Sequence, residues 1–123
     1  MQYAMLVYFD ETEFFGLPAS EQERLRNECA DWYEVLLEHG KSAGASRLQP
    51  VSTATTLRHN KGKLAVFDGP FAETKEVLGG FVLLECENLD EAVALARTFP
   101  SLPAGFTVEI RPVMSDGVRR SDA

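Results

Sequence analysis

Cysteine, histidine and basic residues are scarce in this 123-residue chain, and each scarcity excludes a kind of site or partner. Two cysteines and two histidines without metal-type spacing offer no ligand set for a metal centre. Twelve Lys and Arg residues against nineteen Asp and Glu give a formal net charge of −7 at pH 7, and this field repels nucleic-acid phosphates and anionic lipid surfaces. We therefore expect no metal, no direct nucleic-acid partner and no membrane partner.

Long apolar runs and nucleotide-binding loops are lacking as well. No apolar stretch approaches the roughly 20 residues of a membrane-spanning helix, and the opening MQYAMLVYFDE has neither a basic leader nor a small-residue cleavage site. The sequence contains no G-x-G-x-x-G loop and no P-loop, which are the usual nucleotide fingerprints. These features predict a cytoplasmic protein that needs no cofactor.

The composition that remains is ordinary for a globular protein, with 45% hydrophobic and 25% charged residues. A chain of this length fits one domain, which we expect to span residues 1–114. Residues 115–123 have little apolar surface to bury, so we predict a mobile C-terminal tail there.

Two helices are predicted from their start signals and apolar stripes. Ser20 and Glu23 have the spacing of a capping box, and the helix they open should end at Gly40, which can adopt a left-handed conformation. Asn88 and Glu91 form a second box before a shorter helix.

Strands are predicted on either side of these helices. They cover residues 3–9, 51–59, 63–67, 81–87 and 106–111, with a hairpin turn at residues 60–62 and an exit turn at residues 79–80. The order of elements predicts an α+β fold of the ferredoxin-like kind, in which helices cover one face of a mainly antiparallel sheet.

The other face of this sheet should be apolar. Phe81, Leu83 and one side of the first strand would leave a large exposed patch in a single chain, and globular proteins seldom expose such patches. Face-to-face pairing of two sheets would cover it, so the sequence predicts a homodimer.

The segment from Asp68 to Glu76, DGPFAETKE, groups acids and a lysine around a turn that requires none of them. Asp68 has two interpretations, an Asx-turn that shapes the backbone or a carboxylate directed into a cleft. Glu73, Lys75 and Glu76 are either solvated loop charges or a site. In a site, the lysine holds carboxylates ionised or binds a substrate oxygen, and partial burial raises the pKa of one carboxylate towards the range of a general base. These four residues are the catalytic candidates.

The run DGPFAETKEVLGGF, residues 68–81, closely resembles the motif of the DGPF branch of the YCII-related proteins. The resemblance extends upstream to residues 48–50 and 53–58 and downstream to residues 109–114. It implies a small bacterial domain that pairs into a dimeric α+β barrel, and it brings no assigned reaction. Members that resemble this chain often accompany extracytoplasmic-function sigma factors.

Three strand residues, Tyr8, Arg58 and Arg111, are candidates for binding a substrate on the wall of such a barrel. For each one, the alternative interpretation is a surface or dimer-contact role. Together with the motif, they support two hypotheses of different kinds. The first is a protein that binds a small polar molecule and catalyses proton transfer, isomerisation or addition. The second is a non-catalytic regulatory or accessory module linked to a sigma factor.

The sequence also departs from the wider YCII-related group. That group is associated with a histidine on the opening helix and an aspartate near the end of the last helix, and Cys29 and Phe99 stand at those places here. The acid–base chemistry of that pair is therefore not expected in this chain. Cys29 and Cys86 are expected to pack in the core, because a nucleophilic Cys29 would need an activating base that is not evident at helical spacing.

Overall fold

The computed structural model of the protein describes residues 1–114, so the tail predicted at 115–123 lies outside the described residues. Within the described range, the elements are β1 Gln2–Phe9, α1 Glu11–Phe15, α2 Ala19–Glu38, β2 Ser42–Arg47, β3 Thr55–Asn60, β4 Lys63–Asp68, β5 Val77–Glu85, α3 Leu89–Ala96 and β6 Thr107–Pro112. Across this range, no helix combines the length and apolar character that crossing a membrane requires.

The sheet topology confirms the predicted α+β plan. Strands β2, β5, β1 and β6 lie side by side in that order, and each adjacent pair is antiparallel. Helices α1 and α2 follow the first strand and α3 precedes the last, which is the ferredoxin-like arrangement. The two central strands, β1 and β5, are far apart in sequence, so the sheet joins both halves of the chain.

The core lies between one face of this sheet and the helices. On β1, Tyr3, Met5 and Val7 are buried, while the residues between them are only partly buried. They pack with Leu84 of β5 and with residues from α2, α3 and the following turn: Leu36, Ala92, Ala96 and Phe99. Each large apolar side chain buried in this way contributes about 1.5–3 kcal/mol to the free energy of unfolding.

The open face of the sheet is the side without that helix layer. Leu6 pairs with Phe81 and Ala4 with Leu83, and these four side chains are only partly buried. The apolar pattern of β1 predicts that both faces of the sheet are covered. Within residues 1–114, no element covers the open face.

The start of α2 differs from the predicted capping box. The helix begins at Ala19 with Pro18 at the N-cap, so Ser20 already lies inside the first turn and its predicted capping role with Glu23 is wrong. Proline presets the backbone angle for entry to a helix, and the carbonyl of Pro18 accepts the N–H groups of Glu21 and Gln22. The end of α2 is as predicted, with Gly40 at a φ of 66°.

The Asn88 cap of α3 is confirmed. Its Oδ1 atom accepts the N–H of Glu91 at 2.9 Å. The Glu91 carboxylate in turn accepts the N–H of Glu87 at 2.8 Å and binds Lys41 Nζ at 2.7 Å. Lys41 directly precedes β2, so this ion pair joins the start of the helix to the edge of the sheet.

Strands β3 and β4 form a separate two-stranded sheet, which we call the hairpin arm, residues 55–68. Lys61 and Gly62 both have positive φ, at 54° and 82°, as a two-residue turn of the primed type requires. The turn prediction is thus confirmed, whereas the predicted strand start is wrong because Val51–Thr53 forms a 3-10 turn.

The exit turn predicted at Gly79 and Gly80 is also wrong, because both lie inside β5. A Cβ atom on Gly79 would lie 2.5 Å from Cε1 of the Phe9 ring, and one on Gly80 would lie 2.7 Å from the carbonyl oxygen of Ser46. The two glycines therefore permit close packing across strands rather than a change of chain direction.

Candidate functional site

Two of the charged motif residues, Glu73 and Lys75, line a concavity that we call the loop cleft, with a volume of about 400 Å³. Three parts of the chain line it: Asp10, Glu11 and Thr12; Val51 and Ser52; and Pro70, Ala72, Glu73, Thr74, Lys75 and Val77. The junction of β1 and α1 thus faces the segment that precedes β5. One lining residue from the start of the chain, Glu11, was not among the sequence-based candidates.

Local structure fixes the first two acids of the loop cleft. Asp10 caps α1 by accepting the N–H of Glu13 at 3.1 Å. Oε2 of Glu11 accepts the N–H of Val51 at 3.0 Å, which ties α1 to the loop that enters the hairpin arm. One wall of the cleft is therefore held by hydrogen bonds to the backbone.

The turn at the end of β4 is held by its own hydrogen bonds. Gly69 adopts a φ of 104°, which L side chains rarely reach, and its N–H donates to the carbonyl of Ala54 at 2.7 Å. Thr56 Oγ1 donates to the carbonyl of Gly69, also at 2.7 Å. These contacts anchor the DGPF turn to the base of the hairpin arm.

The four catalytic candidates do not form one cluster. Glu73 and Lys75 line the loop cleft, whereas Asp68 and Glu76 are not among its lining residues. Asp68 ends β4 opposite Thr55, and Oε1 of Glu76 accepts the hydroxyl of Thr107 at 2.9 Å. All four side chains are exposed, so desolvation of a carboxylate would require a ligand or another chain.

The three substrate-binding candidates are also separated. Tyr8 and Arg111 lie on the open face of the sheet, where β6 pairs Tyr8 with Thr107 and Ala4 with Arg111. Tyr8 and Ala4, the strand partner of Arg111, are four positions apart on β1, which separates Tyr8 from Arg111 by about 13 Å along the strand. Arg58 lies on the hairpin arm, and its guanidinium carbon is 5.6 Å from the centroid of the Phe71 ring.

The electrostatics of the loop cleft are set by Asp10, Glu11, Glu73 and Lys75. Three carboxylates against one ammonium group give an acidic surface, which attracts cationic or hydroxyl-rich molecules more than anionic ones. Within residues 1–114, none of the ion pairs includes these four groups. The same range contains no cluster of three or more His, Cys, Asp or Glu side chains arranged to hold a metal ion.

A second concavity, which we call the aromatic cavity, lies between α2 and the sheet and has a volume of about 550 Å³. Its lining includes the rings of Phe9, Phe14, Phe15, Trp32, Phe99 and Phe106, together with Cys29 and Ser101. The sequence-based predictions missed it because these rings come from five different segments. The available signal was Cys29 on the apolar stripe of α2.

Three similarities to known proteins accompany this geometry. The model of the YCII-related domain matches residues 1–115. An uncharacterized protein of Rhizobium meliloti (strain 1021) is 41% identical over 114 residues, which cover 92% of each chain. Among solved structures, the chain is similar to 5-chloro-2-hydroxyhydroquinone dehydrochlorinase (TftG) of Burkholderia phenoliruptrix AC1100, in its complex with 2,5-dihydroxybenzoquinone. The TM-score is 0.49 and the sequence identity is 18%, and the match covers 96% of this chain and 100% of that chain.

Proposed function

The chain belongs to the YCII-related family, and from that membership we propose that it is a small-molecule-binding protein of the DGPF branch. The domain that carries this function is residues 1–114, and its compartment is the cytoplasm. The ligand is a small polar molecule held in the loop cleft. The observation that carries the proposal is the convergence of Glu73 and Lys75, from the motif, on the same cleft as Asp10 and Glu11.

The charge balance of the loop cleft narrows the class of ligand. An excess of carboxylates favours a molecule that carries an amine or several hydroxyl groups. Lys75 then contacts a carbonyl or hydroxyl oxygen of the ligand, and Glu73 accepts one of its protons. A bound ligand would also desolvate Glu73, which favours proton transfer to this carboxylate. The reaction class would be proton transfer, isomerisation or addition, with Glu76 bracing the loop against β6 through its hydrogen bond to Thr107.

The experiment for this proposal is a thermal-shift screen of small polar compounds, followed by variants of the loop cleft. A ligand that binds only the native state raises the melting temperature by mass action. Glu73→Gln and Lys75→Met should each abolish the shift given by a cleft ligand. Glu34→Gln, which removes an exposed charge of the same sign on α2, is the matched control and should retain the shift. Retention of the full shift by both cleft variants would refute the cleft as the site.

We also propose that two chains pair through the open face of the sheet. Leu6, Phe81 and Leu83 present a central apolar strip there, and a second copy would remove it from water. Light scattering should then give twice the chain mass of 13.6 kDa. Leu83→Asp should yield monomers or unfolded chains, because it buries an unpaired charge. Leu89→Asp, at a leucine that is already 50% exposed, is the control.

A second function is favoured by a different observation. On one side of the hairpin arm, Leu57, Leu64 and Val66 are 62%, 58% and 60% exposed. Exposed apolar groups side by side on a two-stranded sheet are typical of a surface that binds another protein. This arrangement suits a non-catalytic module that serves an extracytoplasmic-function sigma factor. A sigma-factor gene beside this one, and binding of the purified factor that Leu57→Asp abolishes, would favour this alternative over the enzyme.

A further inference from the structure

The aromatic cavity has the size and lining of a second small-molecule site. Its volume of about 550 Å³ lies within the range of roughly 300–1,000 Å³ in which ligand pockets fall. The rings of Phe9 and Phe106 stack at 5.1 Å between centroids, and Phe14 meets Phe106 edge-on at 5.7 Å. Walls made of ring faces and edges favour a planar aromatic ligand, which can stack on them or meet them edge-on.

A second aromatic part of the lining is already ordered. Trp32 and Phe99 pack edge to face at 5.2 Å, and the indole N–H donates to Thr98 Oγ1 at 2.8 Å. Phe99 is only 7% exposed, so it is part of the core as well as of the cavity. Because both aromatic parts exist before any ligand binds, little free energy is spent on ordering side chains.

The charges around the cavity have one sign. Among the lining residues of the described chain, Arg26 and Arg47 are the charged ones, and none is acidic. This is notable in a chain whose net charge is −7. The guanidinium carbon of Arg26 lies 5.9 Å from the centroid of the Phe14 ring, so one positive group stands directly beside the aromatic wall. A guanidinium group is suited to binding a carboxylate.

The remaining polar lining adds no negative charge. Cys29 Sγ and Ser101 Oγ lie 3.1 Å apart and share a hydrogen bond, and Ser101 is only 2% exposed. Burial raises the pKa of the Cys29 thiol, so it remains neutral at physiological pH. The arginines therefore determine the charge that a ligand should carry.

We propose that the aromatic cavity binds a small aromatic carboxylate, with its ring between the phenylalanine wall and Trp32 and its carboxylate at Arg47 and Arg26. The site shares no lining residue with the loop cleft, so it does not depend on the function proposed for that cleft. The ring supplies apolar contact, and the two arginines select against neutral molecules of the same shape.

The sole tryptophan of the chain, Trp32, lines the cavity and serves as the reporter. The probe is 4-phenylbutyrate, and its matched neutral analogue is 4-phenylbutyramide. Titration of the wild-type protein with the carboxylate should change the tryptophan fluorescence saturably. The amide should bind at least about tenfold more weakly, because it cannot form the charge-assisted contacts.

Three variants locate the site. Arg47→Gln should weaken carboxylate binding about fivefold or more and leave amide binding nearly unchanged. Arg97→Gln removes an equal charge from the end of α3, outside the cavity lining, and should retain wild-type affinity. Ala30→Phe introduces a ring at an exposed lining position of α2, so it should block both probes while the circular dichroism spectrum stays native.

Several results would overturn the proposal. Equal affinity for the carboxylate and the amide would show that the arginines do not select the ligand. If Ala30→Phe still binds the probes, their binding site is not the aromatic cavity. No fluorescence or calorimetric response to either probe would exclude this ligand class. If Ala30→Phe instead halves the mass measured by light scattering, a second copy of the chain covers the cavity.

Discussion

The loop cleft and the aromatic cavity differ in how they are built and in how visible they are in the sequence. Two of the four charged groups of the cleft, Glu73 and Lys75, lie on one short continuous segment, and both are exposed to solvent in the single chain. The cavity is assembled from scattered rings, such as Phe9 and Phe106, that stack only in the folded protein. The motif charges thus lie on an exposed loop, whereas Phe99 of the aromatic cavity belongs to the core, so we expect the two regions to contribute unequally to stability.

The sharpest way to test this difference is the same substitution in the aromatic cavity and on the exposed motif loop. Phe99→Ala removes a buried ring that packs on Trp32 and should lower the free energy of unfolding by about 3–5 kcal/mol. Phe71→Ala removes a ring that is 69% exposed on the motif and contacts Arg58, and should cost less than about 1 kcal/mol. Urea denaturation of both variants measures the two losses. Equal losses would contradict the division into scaffold and surface loop.

The next effect concerns Gly79, whose missing Cβ leaves room for the Phe9 ring. Gly79→Ala should cost about 1–3 kcal/mol, because the new methyl group would lie 2.5 Å from that ring. A smaller side chain at the same contact should relieve the clash, so Phe9→Leu should recover part of the loss in the double variant. Gly62→Ala is the control, since a Cβ atom there would meet no other part of the protein within 4 Å and its strain would come from a φ of 82°. The same Phe9→Leu change should recover nothing there.

The Cys29 thiol of the aromatic cavity should make the free energy of unfolding depend on pH in the alkaline range. Burial raises the pKa of Cys29 and of Cys86, so the folded chain holds these protons more tightly than the unfolded chain. The resulting stability is complete below the unfolded pKa of about 9 and is lost as pH rises through the folded pKa. Denaturation at several pH values above 8 should show a falling free energy of unfolding, with a smaller slope in Cys29→Ala. An identical slope in that variant would refute the contribution of this thiol.

The smallest effects are expected for the motif charges. Glu73→Gln, Lys75→Met and Glu76→Gln should each change the free energy of unfolding by less than about 1 kcal/mol, as substitutions of exposed groups usually do. Asp68→Ala, at the end of β4, should cost about 1 kcal/mol if the carboxylate shapes the turn. Melting temperatures of the four variants test this order. Large losses in the first three would mean that the charges form a structural network.

The elements with strong local signals were predictable from the sequence. The hairpin turn at Lys61 and Gly62 needs positive φ, and the Asn88 side chain has a local N–H to cap, so both follow from neighbouring residues alone. Strand β2 was not predicted, because Ser-Ala-Gly-Ala-Ser-Arg has little strand propensity. It is a strand through its pairing with β5, which Ser42 reinforces by donating to the carbonyl of Leu83 at 2.7 Å.

The candidate sites also contain features that the sequence predicts and features that only the folded structure shows. Glu73 and Lys75 could be proposed from the motif, but their separation from Asp68 and Glu76 depends on the course of the loop. The Cys29–Ser101 contact joins α2 to the turn after α3, and no spacing within either segment indicates it. Such contacts depend on tertiary packing, so local sequence patterns do not predict them.

The claim that most needs testing is that the two concavities bind different classes of small molecule. The most direct measurement is one thermal-shift screen, with amines, polyols and aromatic carboxylates, on the wild type, Glu73→Gln and Ala30→Phe. We predict that the amine or polyol responses are lost in Glu73→Gln alone and that the aromatic carboxylate responses are lost in Ala30→Phe alone. Responses of both classes that disappear together in one variant, or that persist in both, would contradict the account.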